Sequence, residues 1–446
     1  MSGKCRKYAF QAVCIMIPLF FLCTYSGWLQ RIGIGSLRAR MVVGTLLLIA
    51  LIVFSMNRPL HEVVWRKIIY IPLLLCGLGL IITGLHHSIG EGFLLFGFQL
   101  VLVFPCLALV WNNRMDYESL FDAIARGFAV VGIFYFILCM FLATTGHFSM
   151  IGGRWAGTMG NVNSLGFYGV HILLASLYLL VRNIGKASQM LYFVAAGIGL
   201  GFVLLSGSRV GLLDCVICFV AWVIYIIVHR RGVLSGFSKS IIMRCCLGVL
   251  LFFIMLTAAF VFIPSLQTSH DKQVNGEIKS ETTESITDRF DPRKNDGIND
   301  YSSGRVGLWK KYAKRLNLIG HDYDKTDWDK IDGGAKMGAH NLFLGISYRC
   351  GVPVGIVFVF LEVIVGLVAV VLLFDRKCIR QSFLFLILFV IEYGIDSSLD
   401  NSVIPFSRAG ALLFYIGMIC IMPGRPSLRS SRANVNHQGV VKQSHM

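Results

Sequence analysis

Apolar residues along the chain fall in long uninterrupted blocks, and short polar connections separate most of these blocks. A helix needs about 20 apolar residues to cross a bilayer core of about 30 Å, and most blocks are close to that length. The pattern therefore predicts an all-α polytopic membrane protein of about twelve transmembrane helices. The predicted spans are residues 8–26, 41–57, 68–84, 92–111, 127–145, 164–181, 190–206, 210–228, 245–264, 353–374, 382–395 and 411–422.

One connection, residues 265–339, is 75 residues long and hydrophilic throughout. Its first part is rich in Gly, Ser, Thr, Asp and Asn, which predicts loose order. Its second part predicts a short amphipathic helix, whose common face holds Arg305, Trp309, Tyr312 and Leu316 at helical spacing. The predicted division is transmembrane helices 1–5 in 1–145, helices 6–9 in 146–264, the large outer loop in 265–339, helices 10–12 in 340–422, and a tail in 423–446.

The composition agrees with a membrane protein and excludes several other classes. Of 446 residues, 56% are hydrophobic and 15% are charged, against about 25% charged in an ordinary soluble domain. A soluble fold of this length could not cover so much apolar surface, and disorder does not fit either. None of the 13 cysteines lies in 265–349, which excludes a disulfide framework in the outer loop. Cys215 and Cys218 are interpreted as small buried hydrophobes inside a span.

The net charge of +17 and the pI near 9.4 suit a nucleic-acid partner at first sight. The distribution of charge points instead to membrane topology. With the N-terminus in the cytoplasm, 21 Lys and Arg fall in cytoplasmic segments and six in the short outer connections, as the positive-inside rule requires. The large loop is balanced, with 13 basic and 13 acidic residues. We therefore expect both termini in the cytoplasm and no nucleic-acid partner.

Three arginines of the outer connections are candidates for anion binding. Arg154 lies in a glycine-rich stretch, Arg209 stands between small residues where one span ends and the next begins, and Arg305 opens the amphipathic helix. Guanidinium groups bind phosphate oxygens bidentately, and a helix N-terminus adds unpaired N–H donors. The alternative, contact with phospholipid phosphates at the membrane surface, stays open for each of them and is stronger for Arg154.

His340 is the candidate general base, because histidine titrates near neutrality and can accept a proton from a hydroxyl nucleophile. It stands where the outer loop re-enters the membrane, on the same side as the three arginines. A purely structural capping role is the alternative. Asn341 either fixes the local turn or donates to a sugar. The intramembrane acids Asp214, Glu362 and Glu392 are expected to be structural.

Other chemistries lack a motif in this sequence. The aspartates of 322–332 do not have the spacing of a calcium loop, and no glycine-rich nucleotide motif or P-loop is present. We therefore expect no metal, no cofactor and no ATP.

Taken together, four motifs resemble the O-antigen ligase and O-antigen polymerase family. They are Gly207–Gly211 (GSRVG), Gly304–Arg305 with Trp309, His340–Leu344 (HNLFL) followed by 349–355 (RCGVPVG), and the stretch from Gly153–Arg154 to Asn163. The resemblance covers about residues 150–375, together with the predicted layout of spans and one large outer loop. After the His-Asn motif, Arg349–Cys350 stands where the family usually has a short acidic segment.

The resemblance implies an enzyme of the bacterial inner (plasma) membrane that works in surface polysaccharide biosynthesis. Such an enzyme transfers a glycan from an undecaprenyl-diphosphate carrier to an acceptor hydroxyl on the outer leaflet. The acceptor is a lipid A core sugar for a ligase and another carrier-linked repeat for a polymerase. Carried over by motif, Arg209 and Arg305 hold the diphosphate and His340 activates the acceptor hydroxyl. The remaining expected substrate-binding residues are Arg154, Asn161, Asn163, Trp309 and Asn341.

Two other function classes remain to be distinguished. A polysaccharide or lipid transporter (a flippase) predicts a charged pathway inside the membrane and often an internal repeat, which this sequence lacks. A scaffold subunit predicts tolerance of substitutions at Arg209, Arg305 and His340.

Overall fold

The computed structural model describes most of the membrane-embedded chain. The described residues are 3–56, 63–87, 92–114, 117–151, 154–182, 187–229, 239–267, 305–321, 339–375, 382–399 and 404–423. The loosely ordered part predicted for the outer loop, its acidic segment 322–332 and the predicted tail after Pro423 lie outside these residues.

The first half of the chain is helical up to a small hairpin. Its helices are α1 Gly3–Tyr25, α2 Trp28–Arg31, α3 Leu37–Ser55, α4 Lys67–His86, α5 Phe93–Phe98, α6 Phe104–Arg114 and α7 Tyr117–Thr144. A π-helical segment, Gln99–Val103, joins α5 and α6 into one span. The antiparallel strands β1 Ser149–Ile151 and β2 Arg154–Gly157 follow α7, and the sequence pattern did not predict them.

The second half holds the core of the bundle and the candidate site. Its helices are α8 Val162–Arg182, α9 Gln189–Ser206, α10 Arg209–Val228, α11 Lys239–Thr257, α12 Arg305–Ala313, α13 Leu342–Cys350, α14 Val352–Phe374, α15 Ser382–Leu399 and α16 Ala409–Met418. A second π-helical segment, Ala258–Phe262, continues α11.

The fold class predicted from the sequence is confirmed, since 11 helices among the described residues are long and apolar enough to cross a membrane. They coincide with the first eleven predicted spans to within four residues at each end, except that the fifth begins at Ser119, eight residues before the predicted start. The twelfth predicted span, 411–422, forms only the ten-residue helix α16. Ten residues of helix rise about 15 Å, roughly half of a bilayer core, so α16 does not cross on its own. A count of twelve is therefore not confirmed.

Helix α8 lies at the centre of the bundle. In its membrane-spanning window 94% of residues are buried, against 17% in the peripheral span that contains α11. The contact of α8 with α9 is close because a Cβ on Gly169 or on Gly199 would collide with the backbone oxygen of the other glycine. Such small residues let transmembrane helices approach and pack by van der Waals contact.

The predicted amphipathic helix of the outer loop is confirmed as α12. Its buried side chains Leu308 and Tyr312 pack against α13, where Tyr312 meets the ring of Tyr348 edge-to-face at 5.0 Å. Leu316 lies past the end of α12 and packs on the same cluster. The chain then turns back, and His321 stacks on Tyr348 at 4.1 Å. The segment from Arg305 to His321 is thus packed onto α13, the helix that follows His340.

Candidate functional site

One end of the bundle gathers the first residues of α8, α10, α13 and α16 and the last residues of α9 and α15. We call it the Arg209 end. Three contacts define it: Arg154 bridges α8 and α9, Asn341 joins α13 to α15, and Arg408 lies over the ring of Phe167 in α8, 4.0 Å from its centroid. The predicted site residues therefore share one end of the molecule.

Arg209 is the first residue of α10, after a tight connection from α9. Gly207 closes α9 in the left-handed region, with φ 59°, which glycine adopts without a Cβ clash. The Ser208 hydroxyl then caps α10 by accepting from the backbone N–H of Gly211 at 3.2 Å. This connection presents the half-buried Arg209 guanidinium beside the positive end of the α10 dipole, where anions are favoured.

Arg154 is buried, and its guanidinium group donates hydrogen bonds to other residues of the protein. Its Nε donates to the backbone oxygen of Ser206 at 2.7 Å, and its Nη2 donates to Oδ1 of Asn163 at 2.8 Å. Asn161 is exposed, and its Oδ1 accepts from the backbone N–H of Asn163 at 2.8 Å. Arg154 and Asn163 thus join β2 to the start of α8 and the end of α9, which gives both a structural role next to Arg209. Their substrate-binding role stays a prediction.

His340 has the sole left-handed backbone of any non-glycine residue among those the structure describes, with φ 46°. Such a conformation costs free energy and recurs at functional positions, and histidine tolerates it better than most residues. The side chain is half-buried at the start of α13. The structure therefore holds the predicted base in a specific backbone geometry.

Asn341 holds that geometry in place. Its Oδ1 caps α13 by accepting from the backbone N–H of Leu344 at 3.0 Å, and its Nδ2 donates to the backbone oxygen of Ser398 at 3.1 Å. The oxygen and the nitrogen of the Asn341 amide therefore both form hydrogen bonds within the protein. Of the two roles open for Asn341, the structure shows the turn-fixing one, and contact with a sugar stays a prediction.

Arg305 and Trp309 lie on α12, which packs against α13. Arg305 is half-buried at the first position of the helix. One turn later, the indole Nε1 of Trp309 is buried and has no hydrogen-bond partner among the described residues. Buried indole N–H groups usually have an acceptor. The rest of the ring is partly exposed and could contact a sugar.

Cys350 closes α13 and does not supply a nucleophile. Burial raises the pKa of its thiol to about 12, so the group stays protonated and the reactive thiolate is not formed.

A second set of side chains lies deeper, between the spans, and the sequence pattern singled out only part of it. We call it the buried ionisable cluster. It consists of the buried His171 of α8, Asp214 of α10, and Glu392 and Asp396 of α15, together with the half-buried Arg408 at the start of α16. The Nε2 of His171 lies 2.9 Å from Oε1 of Glu392.

Asp396 and Arg408 were missed by the sequence reasoning. The available signals were the i, i+4 spacing of Asp396 from Glu392 inside an apolar helix, and an arginine directly before the last apolar stretch. Arg408 interacts electrostatically with Asp214 and Glu392. The Glu392 carboxylate lies against the backbone of Gly410, where a Cβ would collide with it.

The Arg209 end combines guanidinium groups, helix N-termini and one histidine around a surface that faces out of the bundle. Such a set can bind a phosphate-bearing substrate and accept a proton. Among the described residues, no group of three or more His, Cys, Asp or Glu side chains could hold a metal ion. No protein-family model, no curated protein and no solved structure matches the chain.

Proposed function

We propose that this protein is an integral membrane glycosyltransferase of the O-antigen ligase or polymerase type. It moves a glycan from an undecaprenyl-diphosphate carrier to an acceptor hydroxyl at the outer face of a bacterial inner membrane, in the synthesis of a surface polysaccharide. Both termini then lie in the cytoplasm, and the Arg209 end lies outside.

The observation that carries the proposal is the common position of the arginines and the histidine. Asn341, next to His340, bonds to Ser398 at the end of α15. Two residues before Ser398, Asp396 interacts with Asp214, which lies five residues into α10 from Arg209. Helix α12, with Arg305, packs on α13. Arg209 and His340 therefore share one end of the bundle, although they are about 130 positions apart in sequence.

The mechanism that this arrangement supports is a single displacement at the anomeric carbon. The acceptor oxygen attacks that carbon, the bond from carbon to the diphosphate oxygen breaks, and the leaving diphosphate keeps the electron pair. His340 accepts the hydroxyl proton. Arg209 and Arg305 neutralise the charge that develops on the diphosphate. Trp309 contacts the sugar through the accessible part of its ring.

The test measures the rate of glycan transfer by purified variants in lipid nanodiscs. His340→Asn tests the base more specifically than an alanine variant does, because asparagine tolerates the left-handed backbone and cannot act as the base. We expect it to lower the rate by roughly 10²–10⁴-fold, and Arg209→Ala or Arg305→Ala by roughly 10²-fold or more.

Two substitutions serve as matched controls. His147→Ala removes an exposed histidine near β1, and Lys310→Ala removes an exposed cation of α12. Both should keep the full transfer rate. A His340→Asn protein with wild-type activity would contradict the base assignment, and equal losses in Lys310→Ala and Arg305→Ala would contradict specific diphosphate binding.

A transporter is the second candidate, and the buried ionisable cluster favours it, since charged groups inside a span often line substrate or proton pathways. It predicts that the carrier-linked glycan exchanges across the membrane of a proteoliposome without any new glycosidic bond. Such exchange by the His340→Asn protein at the wild-type rate would favour the transporter.

A further inference from the structure

The buried ionisable cluster has no part in the proposed transfer. Its closest pair is His171 and Glu392, joined from Nε2 to Oε1 at 2.9 Å with both side chains fully buried. Asp214 is also fully buried. These groups lie inside helices that contact each other along the core, so water does not solvate them.

Two members of the cluster have unused polar atoms. Both carboxyl oxygens of Asp214, and the second ring nitrogen of His171, Nδ1, have no hydrogen-bond partner among the described residues. A buried polar atom without a partner costs about 1–3 kcal/mol, and a buried charge costs more. Glu392 and Asp396 repel a negative charge on Asp214, and the Arg408 guanidinium opposes that repulsion.

The charges of the cluster do not balance without protons. Three carboxylates against one guanidinium leave a net charge of −2 when His171 is neutral, and −1 when it is charged. Glu392 and Asp396 stand four residues apart on α15, a spacing at which like charges repel. An excess of negative charge in a low-dielectric interior is strongly unfavourable, so protons are the simplest means of neutralising it.

The elements packed around the cluster contribute further titratable groups. Helix α14 contributes another acid, Glu362, whose Oε2 accepts from the Ser397 hydroxyl at 3.3 Å. Helix α1 contributes Tyr25, and α10 itself contributes two thiols. Among the described residues, the side chains that interact with members of the cluster include Tyr25, Tyr393, Cys215 and Cys218, and Arg209 lies five residues before Asp214 on α10.

We propose that the buried ionisable cluster is a proton-binding site, in which at least one proton is held by Asp214 or shared with Glu392 and Asp396 in the resting protein. The ligand is a proton rather than a metal ion, because these side chains do not converge into a metal-binding group. This site is independent of the glycan-transfer proposal.

The cluster descends from the Arg209 end toward the middle of the membrane. Asp214 lies five residues below Arg209, or about 7–8 Å along the helix, and His171 lies nine residues below Val162, or about 13–14 Å. Half of a bilayer core is about 15 Å. The Arg209 end is therefore the surface nearest to Asp214, which lies within two helical turns of it.

The test is infrared difference spectroscopy of the full-length protein in an alkyl maltoside, a detergent without carbonyl groups. Protonated carboxylic acids have a C=O stretching band that shifts in D2O. We expect the wild-type protein to show this band at neutral pH, and Asp214→Asn to remove or shift it. Glu392→Gln, which changes a direct neighbour, should also shift the band.

Asp375→Asn is the control, because Asp375 is a partly exposed carboxylate at the end of α14, and its variant should retain the wild-type band. The proposal is overturned if the wild-type protein lacks the band at neutral pH, or if the band is the same in Asp214→Asn and Glu392→Gln. The wild-type spectrum decides the first point even if a variant does not fold.

Discussion

Replacing Asn341 with alanine removes two hydrogen bonds that hold the start of α13, and the size of the effect follows from the structure. Loss of the cap on the Leu344 N–H costs about 1 kcal/mol. Loss of the bond to the Ser398 oxygen costs about another 1 kcal/mol. Because about 1.4 kcal/mol is tenfold in an equilibrium, the population of the locally opened state should rise roughly 30-fold.

Asn341→Asp separates the two contributions. An aspartate still accepts from Leu344 N–H and is favoured at a helix N-terminus, but it cannot donate to Ser398. We expect this variant to lose only the bond between helices, so the opened population should rise about fivefold rather than 30-fold.

The assay is hydrogen–deuterium exchange read by mass spectrometry, which requires no knowledge of the substrate. Faster exchange should be confined to peptides that cover the first turn of α13, with α8 as the internal reference because it is almost entirely buried. Unchanged protection of Leu344 and Gly345 in Asn341→Ala would refute the reasoning that this side chain fixes His340. Transfer activity should fall in the same order, alanine below aspartate.

Substitutions at Gly410 and at Arg154 test the packing at the Arg209 end by thermal unfolding in detergent. Gly410→Ala places a Cβ against the Glu392 carboxylate and should destabilise the fold by about 1–3 kcal/mol. The control is Gly366→Ala, whose Cβ would meet nothing within 4 Å, so its stability should be unchanged or slightly higher. Equal melting temperatures of the two variants would contradict the close contact of Gly410 with Glu392. A lysine at position 154 cannot reach both the Ser206 oxygen and Asn163, so Arg154→Lys leaves a buried acceptor unpaired and should lower the free energy of unfolding by about 1–3 kcal/mol. An unchanged melting temperature would contradict the bridging role.

The spans were predictable from sequence because a run of about 20 apolar residues is a local property that needs no tertiary partner. The same reasoning overestimated the last span. Helix α16 begins at Ala409, two residues before the predicted start, but it ends at Met418, four residues before the predicted end. Hydropathy measures how apolar a stretch is, and it does not show where its helix starts and stops.

The sequence also indicated the positions of Arg209 and His340, because each stands at a junction between an apolar block and a polar connection. The buried ionisable cluster could not be predicted in the same way. His171 and Glu392 are 221 positions apart, and no pattern within either helix shows that they meet. Similarly, the bond of Arg154 to Ser206 spans 52 positions, so a surface role was the natural interpretation of an arginine in a glycine-rich connection.

The most direct measurement for the central claim is the identity of the product. Purified protein in proteoliposomes is given undecaprenyl-diphosphate-linked glycan and a hydroxyl-bearing acceptor, and both lipids and glycans are analysed by mass spectrometry. The account predicts glycosylated acceptor and free undecaprenyl diphosphate in equal amounts, with neither formed by His340→Asn. Carrier-linked glycan that moves to the opposite leaflet intact, with no new glycosidic bond, would contradict it.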